Sequence, residues 1–372
     1  MSKSVAIIGS RGYPSFYGGF ETLVRRLAPY LADAGWDVSV YGRPGATSDA
    51  VARHPQVKCI TTHGVENKSL STLTFGLTAA LDAQKKRPDV ALVLNVANGY
   101  WLPLLKARGI PVVVNVDGIE WERAKWGKGA KAVFRGGARL TGQLATTLVC
   151  DSREIGRRWK WEYGRDSEFI PYGGDPIDAG DPPLGLTKRG YVLMVARFVP
   201  ENTVAEFFQA AEKLADTWDV VIVGSSGYGG EFDDQAASLA RHRDRVNWLG
   251  HLSDDRTLFN LWANAGAYFH GHSVGGTNPA LVQAMACGAP IVARDTVYNR
   301  EVLGDAGRFV APEPGAIEAA VRGMLSNSDE QEGCVRAARL RALQSYSWND
   351  VCERYMSVME SVLAPELRAP TE

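Results

Sequence analysis

What most narrows the folds open to this chain is a repeated alternation of short apolar, β-branched runs with helical patterns, broken once by a tract of glycine, proline and aspartate. Ser4–Ile8 reads as a first strand. A glycine-bearing loop to Gly19, a helical pattern from Phe20 to Ala34 and a strand Asp37–Tyr41 follow it. Val90–Asn95 and Pro111–Val116 are the near-continuous apolar runs expected of parallel strands buried on both faces. Thr147–Cys150 and Glu168–Pro171 read as two more. After the tract Gly173–Arg189 the alternation restarts, with strands at Tyr191–Ala196, Asp219–Gly224, Val246–Leu249, Ala267–His270 and Pro290–Ala293. Helices are expected at Ala205–Leu214, Ala280–Cys287 and Trp348–Leu363. This pattern predicts an α/β chain of two Rossmann-like, doubly wound domains facing each other across a cleft. The expected divisions are residues 1–175, a linker at 176–190, residues 191–345, and a C-terminal helix at 346–364 packing back on the first domain.

Length agrees, because 372 residues exceed what one core usually supports. A net charge of -1 gives no global attraction to nucleic acid or to an anionic membrane, so any basic surface must be local. Cys59, Cys150, Cys287, Cys334 and Cys352 show no CxxC spacing and suit reduced thiols. The first apolar run, Val5 to Ile8, is read as a strand and not a leader, and no run approaches bilayer-spanning length. The expectation is a cytoplasmic protein with no nucleic-acid partner.

Ligands of such sheets sit beyond the carboxyl ends of the strands, so the loops there are the places to seek chemistry. In the first, RGYPSFYGGFET (Arg11–Thr22), Gly18 and Gly19 open a helix whose amides suit an anion, although a tight turn is the plainer reading. In the second, Asp117 and Glu120 follow a strand and could act as base or orient a hydroxyl. Beyond them come Arg123, Lys125, Lys128, Lys131, Arg135 and Arg139, interleaved with Trp121, Trp126 and Phe134, with no acidic residue as far as Cys150. That composition suits an anionic membrane surface or a pyrophosphate-bearing lipid; a solvated helix face is the alternative. In the third, Arg197 directly follows a strand and could neutralise a diphosphate. In the fourth, Gly275–Gly276–Thr277–Asn278–Pro279 runs into a helix, with Asn278 as cap and Pro279 in the first turn. His270 and His272 lack a third ligand and make a poor zinc site, and Asp254–Asp255 reads as a helix cap.

These residues resemble a known family. The order of glycine loop, arginine turn and NPALVQAMACGAPIVA is similar to the retaining GT-B glycosyltransferases of family 4. The strings RGYPSFYGGFE, NKSLSTLTFG, VNVDGIEWERAKWG, FIPYGG, RFVPEN and HSVGGTNP resemble the bacterial rhamnosyltransferase-type branch, with a DUF1972-like N-terminal domain. The likeness runs from about Ser4 to Tyr355. It implies transfer of a hexose or deoxyhexose, rhamnose favoured, from a nucleoside diphosphate sugar, with no cofactor or metal. The implied acceptor is a glycan or a polyprenyl-diphosphate-linked sugar, met at the inner face of the plasma membrane. It also implies donor contacts at Asn202, Gly224, Leu252, His272 and Gln283. Two glutamates that the family carries, separated by seven residues, fall on Gly275 and Gln283, and the lysine five positions after the arginine falls on Asn202. The rivals left open are a nucleotide-sugar 2-epimerase of similar fold and a non-catalytic sugar-nucleotide-binding subunit.

Overall fold

A computed structural model of the chain describes residues 2–15, 18–47, 52–66, 71–123, 126–227, 229–252 and 254–364. The chain divides into two compact units, one running to Pro171 and resuming at Asn349, the other Tyr172–Trp348.

The first unit carries seven parallel strands: β1 (Ser4–Ile8), β2 (Asp37–Gly42), β3 (Val57–Thr61), β4 (Val90–Leu94), β5 (Val112–Asn115), β6 (Thr147–Cys150) and β7 (Glu168–Phe169). Their order is β3-β2-β1-β4-β5-β6-β7, so the sheet reverses its direction of growth between β1 and β4. Central β4 and β5 are buried along their whole length, which is why they read as unbroken apolar runs. Edge strand β3 buries only Val57 firmly, and Lys58, Cys59 and Thr61 are exposed, so hydrophobic pattern does not announce it. Helix Gly19–Asp33 lays Leu23, Val24, Leu27, Ala28, Leu31 and Ala32 on the core, at helical spacing.

Two glycines fix where the basic segment lies. A Cβ on Gly99 would stand 2.1 Å from the Gly137 carbonyl oxygen, and one on Gly137 would stand 2.3 Å from that of Val96. The 3₁₀ turn Val96–Trp101 and helix Lys128–Leu144 therefore pack backbone to backbone, at a distance only glycine allows. Helix Trp348–Ser361 begins as the second unit ends, and Tyr355 and Glu360 anchor it to the first unit through Asn115 and Lys3.

The second unit carries six parallel strands: β8 (Tyr191–Val195), β9 (Asp219–Val223), β10 (Val246–Trp248), β11 (Ala267–His270), β12 (Ile291–Arg294) and β13 (Arg308–Val310). Their order is β10-β9-β8-β11-β12-β13, with the reversal between β8 and β11. Successive strand residues face opposite cores. Leu193, Tyr268 and Ile291 pack with helix Pro279–Cys287, whereas Met194, Phe269 and Val292 pack with helices Val204–Leu214 and Pro314–Leu325. The glycine- and proline-rich tract does not hang free. Its Gly180 amide donates to Asn260 Oδ1 at 3.0 Å, its Gly180 carbonyl accepts from Asn264, and Asp175 is held by Gln283.

Candidate active site

In the second unit the loops after β8 and β11 meet at the reversal point. Arg197 lies two residues past β8; its side chain is exposed and, among the described residues, has no hydrogen-bond or ion-pair partner. Asn202, expected to touch donor, is buried, and its Nδ2 donates to the Arg197 carbonyl at 2.8 Å. Its amide shapes the arginine turn and is not presented as a cation would be. Ser273 binds the Glu201 carbonyl through both N and Oγ, at 3.0 and 2.7 Å, lacing the two loops together.

The glycine-rich turn forms as its sequence requires. Gly275 takes φ of 100°, Thr277 is buried, and Asn278 Oδ1 accepts from the Ala280 amide at 2.9 Å, with Pro279 opening the helix. Gly276 is partly exposed in the same turn. Gly224, at φ of 135°, is held there by packing: a Cβ would stand 1.8 Å from the Ala196 carbonyl oxygen. Leu252 is half-buried against the core. Asp254 caps its helix through the amides of Arg256 and Thr257.

Gln283 departs from the expected ribose contact. Its Oε1 accepts from the Asp175 amide at 3.0 Å and its Nε2 donates to the Asp175 carbonyl at 2.8 Å. Both ends of the amide thus pin the interdomain tract, a partner 108 positions away that no local pattern reveals. His270 and His272 stack with ring centroids 4.5 Å apart instead of converging on a point. His270 Nδ1 meets the Tyr268 hydroxyl at 3.0 Å, and burial pushes the ring's pKa down to about 3. Asn299 holds the His272 carbonyl at 2.9 Å.

In the first unit, Asp117 follows β5 at φ of 53°, a left-handed conformation uncommon outside glycine. Asn115 Oδ1 accepts its amide at 2.9 Å. Glu120 is not open for acid–base work. One carboxylate oxygen pairs with Arg123 Nε at 2.7 Å, and the other accepts Trp126 Nε1 at 2.9 Å. Buried and doubly engaged, it braces the turn beneath Asp117, and Arg123 and Trp126 act as its partners. At the Gly18–Gly19 helix start, Glu21 stands in the first turn and accepts the Arg11 amide at 2.8 Å. The chain's own carboxylate therefore serves part of the role foreseen there for a donor phosphate.

Lys128, Lys131, Arg135 and Arg139 share one face of helix Lys128–Leu144 and, with Ala132 and Gly136, line a groove of about 350 Å³. Among the described residues no carboxylate forms an ion pair with any of the four. The buried face is Gly137, Ala138, Thr141 and Gly142. Lys125 lies outside the described residues. No helix among the described residues is long and apolar enough to cross a membrane.

Residues 2–175 match the domain family DUF1972, a domain of unknown function, and residues 181–341 match Glycosyl transferases group 1. The phosphatidyl-myo-inositol mannosyltransferase of Mycolicibacterium smegmatis is 29% identical over 371 residues, covering 93% of this chain and 90% of that protein. The O-antigen chain mannosyltransferase B of Escherichia coli is 28% identical over 169 residues, 44% of each chain. Among solved structures, sucrose-phosphate synthase from Thermosynechococcus elongatus aligns with a TM-score of 0.80 over 97% of this chain and 99% of that one. At 17% identity that likeness speaks to the fold alone. Two Rossmann-like parallel sheets, a family match over each half and a relative aligned along nearly the whole length agree: a DUF1972 domain at residues 2–175 is followed by a group 1 (family 4) glycosyltransferase domain at residues 181–341, on the two-sheet architecture of the GT-B fold.

Proposed function

We propose that this chain moves a hexose or deoxyhexose from a nucleoside diphosphate sugar to a lipid-linked or glycan acceptor at an anionic membrane surface, with retention of configuration. The observation that carries the reading is Arg197: an exposed guanidinium without a partner among the described residues, at the reversal point of the glycosyltransferase unit. The bond from the anomeric carbon to the diphosphate oxygen breaks while the acceptor oxygen bonds to the same face. The leaving diphosphate takes the acceptor's proton, so no protein nucleophile is required. Charge growing on that diphosphate is met by Arg197 and by the amides of Gly275 to Asn278. Within the first unit, Asp117 is the carboxylate assigned to a sugar or acceptor hydroxyl, and Glu120 holds the turn that carries it.

The basic helix face supports the acceptor side of the reading. Four cations on one face, with no ion pair to a carboxylate among the described residues, suit anionic lipid headgroups and support the reading of an enzyme that works peripherally on the membrane leaflet facing the nucleotide-sugar pool. One of the named relatives is a phosphatidyl-myo-inositol mannosyltransferase and the other an O-antigen chain mannosyltransferase. Motif resemblance favours rhamnose, so mannose donors belong in the screen beside rhamnose donors.

The test is calorimetric binding of dTDP-, UDP- and GDP-sugars, followed by transfer of the best binder to a polyprenyl-diphosphate-linked sugar. Tight binding of one donor and appearance of an extended lipid-linked product are expected. Conversion of the donor with no acceptor present would point to an epimerase, and binding without transfer to any acceptor would overturn the transferase reading.

A further inference from the structure

Arg294 brings to the second unit a cation that no motif announces. It is the last residue of β12, which lies on the far side of β11 from β8. Its Nη1 donates to the Thr203 hydroxyl at 3.0 Å, and that hydroxyl donates to the Gly271 carbonyl at 2.6 Å. The guanidinium thus reaches from the end of β12, past the end of β11, to the residue that opens helix Val204–Leu214. Asn299 Nδ2 donates to the Arg294 carbonyl at 2.8 Å and to the His272 carbonyl at 2.9 Å, fastening the base of the arginine to the loop after β11.

Charge is the informative part. Arg294 is partly buried, and among the described residues no carboxylate pairs with it. Its neighbour Asp295 is taken by Arg300 in a two-pronged contact of 2.6 and 2.7 Å. Withdrawing a guanidinium from water without a counter-charge is unfavourable, and an incoming anion removes that cost. Arg197 stands on the β8 side of the same strand end. A diphosphate carries at least two negative charges and offers two phosphate groups to planar, forked donors.

We propose that Arg294 is a second diphosphate-binding residue, which holds the donor's diphosphate from the β12 side while Arg197 holds it from the β8 side. The proposal rests on the reading of this unit as a nucleotide-sugar site. Thr203 serves as a positioning residue, because its hydroxyl fixes one arm of the Arg294 fork and leaves the other free for phosphate.

Calorimetry with UDP, GDP and dTDP, each beside its monophosphate, tests it. Wild type should bind one diphosphate more tightly than the matching monophosphate. In Arg294→Gln the diphosphate affinity should fall by about tenfold or more, with the monophosphate changing by less than about twofold, as loss of a charge-assisted contact to the outer phosphate requires. Arg294→Lys should restore part of the loss, and melts followed by circular dichroism report whether each variant is folded. If wild type binds none of the three diphosphates, the nucleotide-sugar reading itself fails. If it binds one and Arg294→Gln weakens both forms alike, or neither, Arg294 has no diphosphate role. Should Arg294→Gln not fold, Arg294→Lys decides: equal affinities to wild type for both forms sink the forked contact.

Discussion

Asn115 donates a 2.6 Å hydrogen bond from Nδ2 to the hydroxyl of Tyr355, a residue 240 positions away on the C-terminal helix. The other end of the same amide accepts the Asp117 main-chain N–H at 2.9 Å. One buried side chain therefore links the last helix to a turn whose aspartate sits in left-handed backbone. Burial raises the Tyr355 phenol above its ordinary value, so it remains neutral through the physiological range.

Tyr355→Phe leaves Asn115 Nδ2 buried without its partner, which should cost about 1–3 kcal/mol of stability. Urea unfolding measures this. Because Asp117 is proposed to orient the acceptor hydroxyl, kcat should also fall while donor affinity holds. An unchanged unfolding midpoint with unchanged kcat would remove any significance from the contact.

Arg197→Ala should lower kcat/KM through loss of roughly 2–4 kcal/mol of transition-state stabilisation, the size expected for one donor aimed at developing charge. Arg197→Lys should recover only part, since an ammonium lacks the planar fork. Steady-state kinetics with the donor identified by the binding screen checks it. Wild-type turnover by the alanine variant would take Arg197 out of the chemistry.

Lys131→Gln combined with Arg135→Gln removes two of the four cations on the exposed helix face. At about 1 kcal/mol per basic residue near an anionic surface, partitioning should drop about 30-fold. Sedimentation with phosphatidylglycerol vesicles reads this, and phosphatidylcholine vesicles should show little binding of either protein. The wild-type affinity should also weaken with added salt, because exposed charges are screened. Equal partitioning of the two proteins would mark this face as solvated only.

His270 predicts how stability varies with pH. Burial lowers its pKa from the ordinary 6.5 to about 3, so the native ring stays neutral where the unfolded ring takes up a proton. The unfolded state then binds more protons between these values, and stability rises with pH from about 3 to 6.5 and is flat above. Urea titrations at pH 7 and pH 5 should show a loss on acidification that is smaller in His270→Phe, whatever that variant's stability at neutral pH. Identical losses would assign the pH dependence to other groups.

The strands of both sheets could be read locally where they are central. VALVL and VVVN, the sequences of β4 and β5, have apolar residues on both faces, and only a strand covered on both sides buries them. The Asn278–Pro279 and Asp254 helix starts were equally legible, since a cap acts within three residues of itself. Arg197 stood out because a strand, a short turn and a helix follow one another in the chain around it. Edge strands β3 and β13 were not read, because short half-exposed segments carry little periodic signal. Gln283 binding Asp175, Asn115 binding Tyr355 and Arg294 reaching Thr203 could be decided only in three dimensions. Each joins residues 91 to 240 positions apart. Local preference sets which element a residue enters. Which partner its polar atoms find depends on strand order and helix packing, and those are properties of the folded chain as a whole.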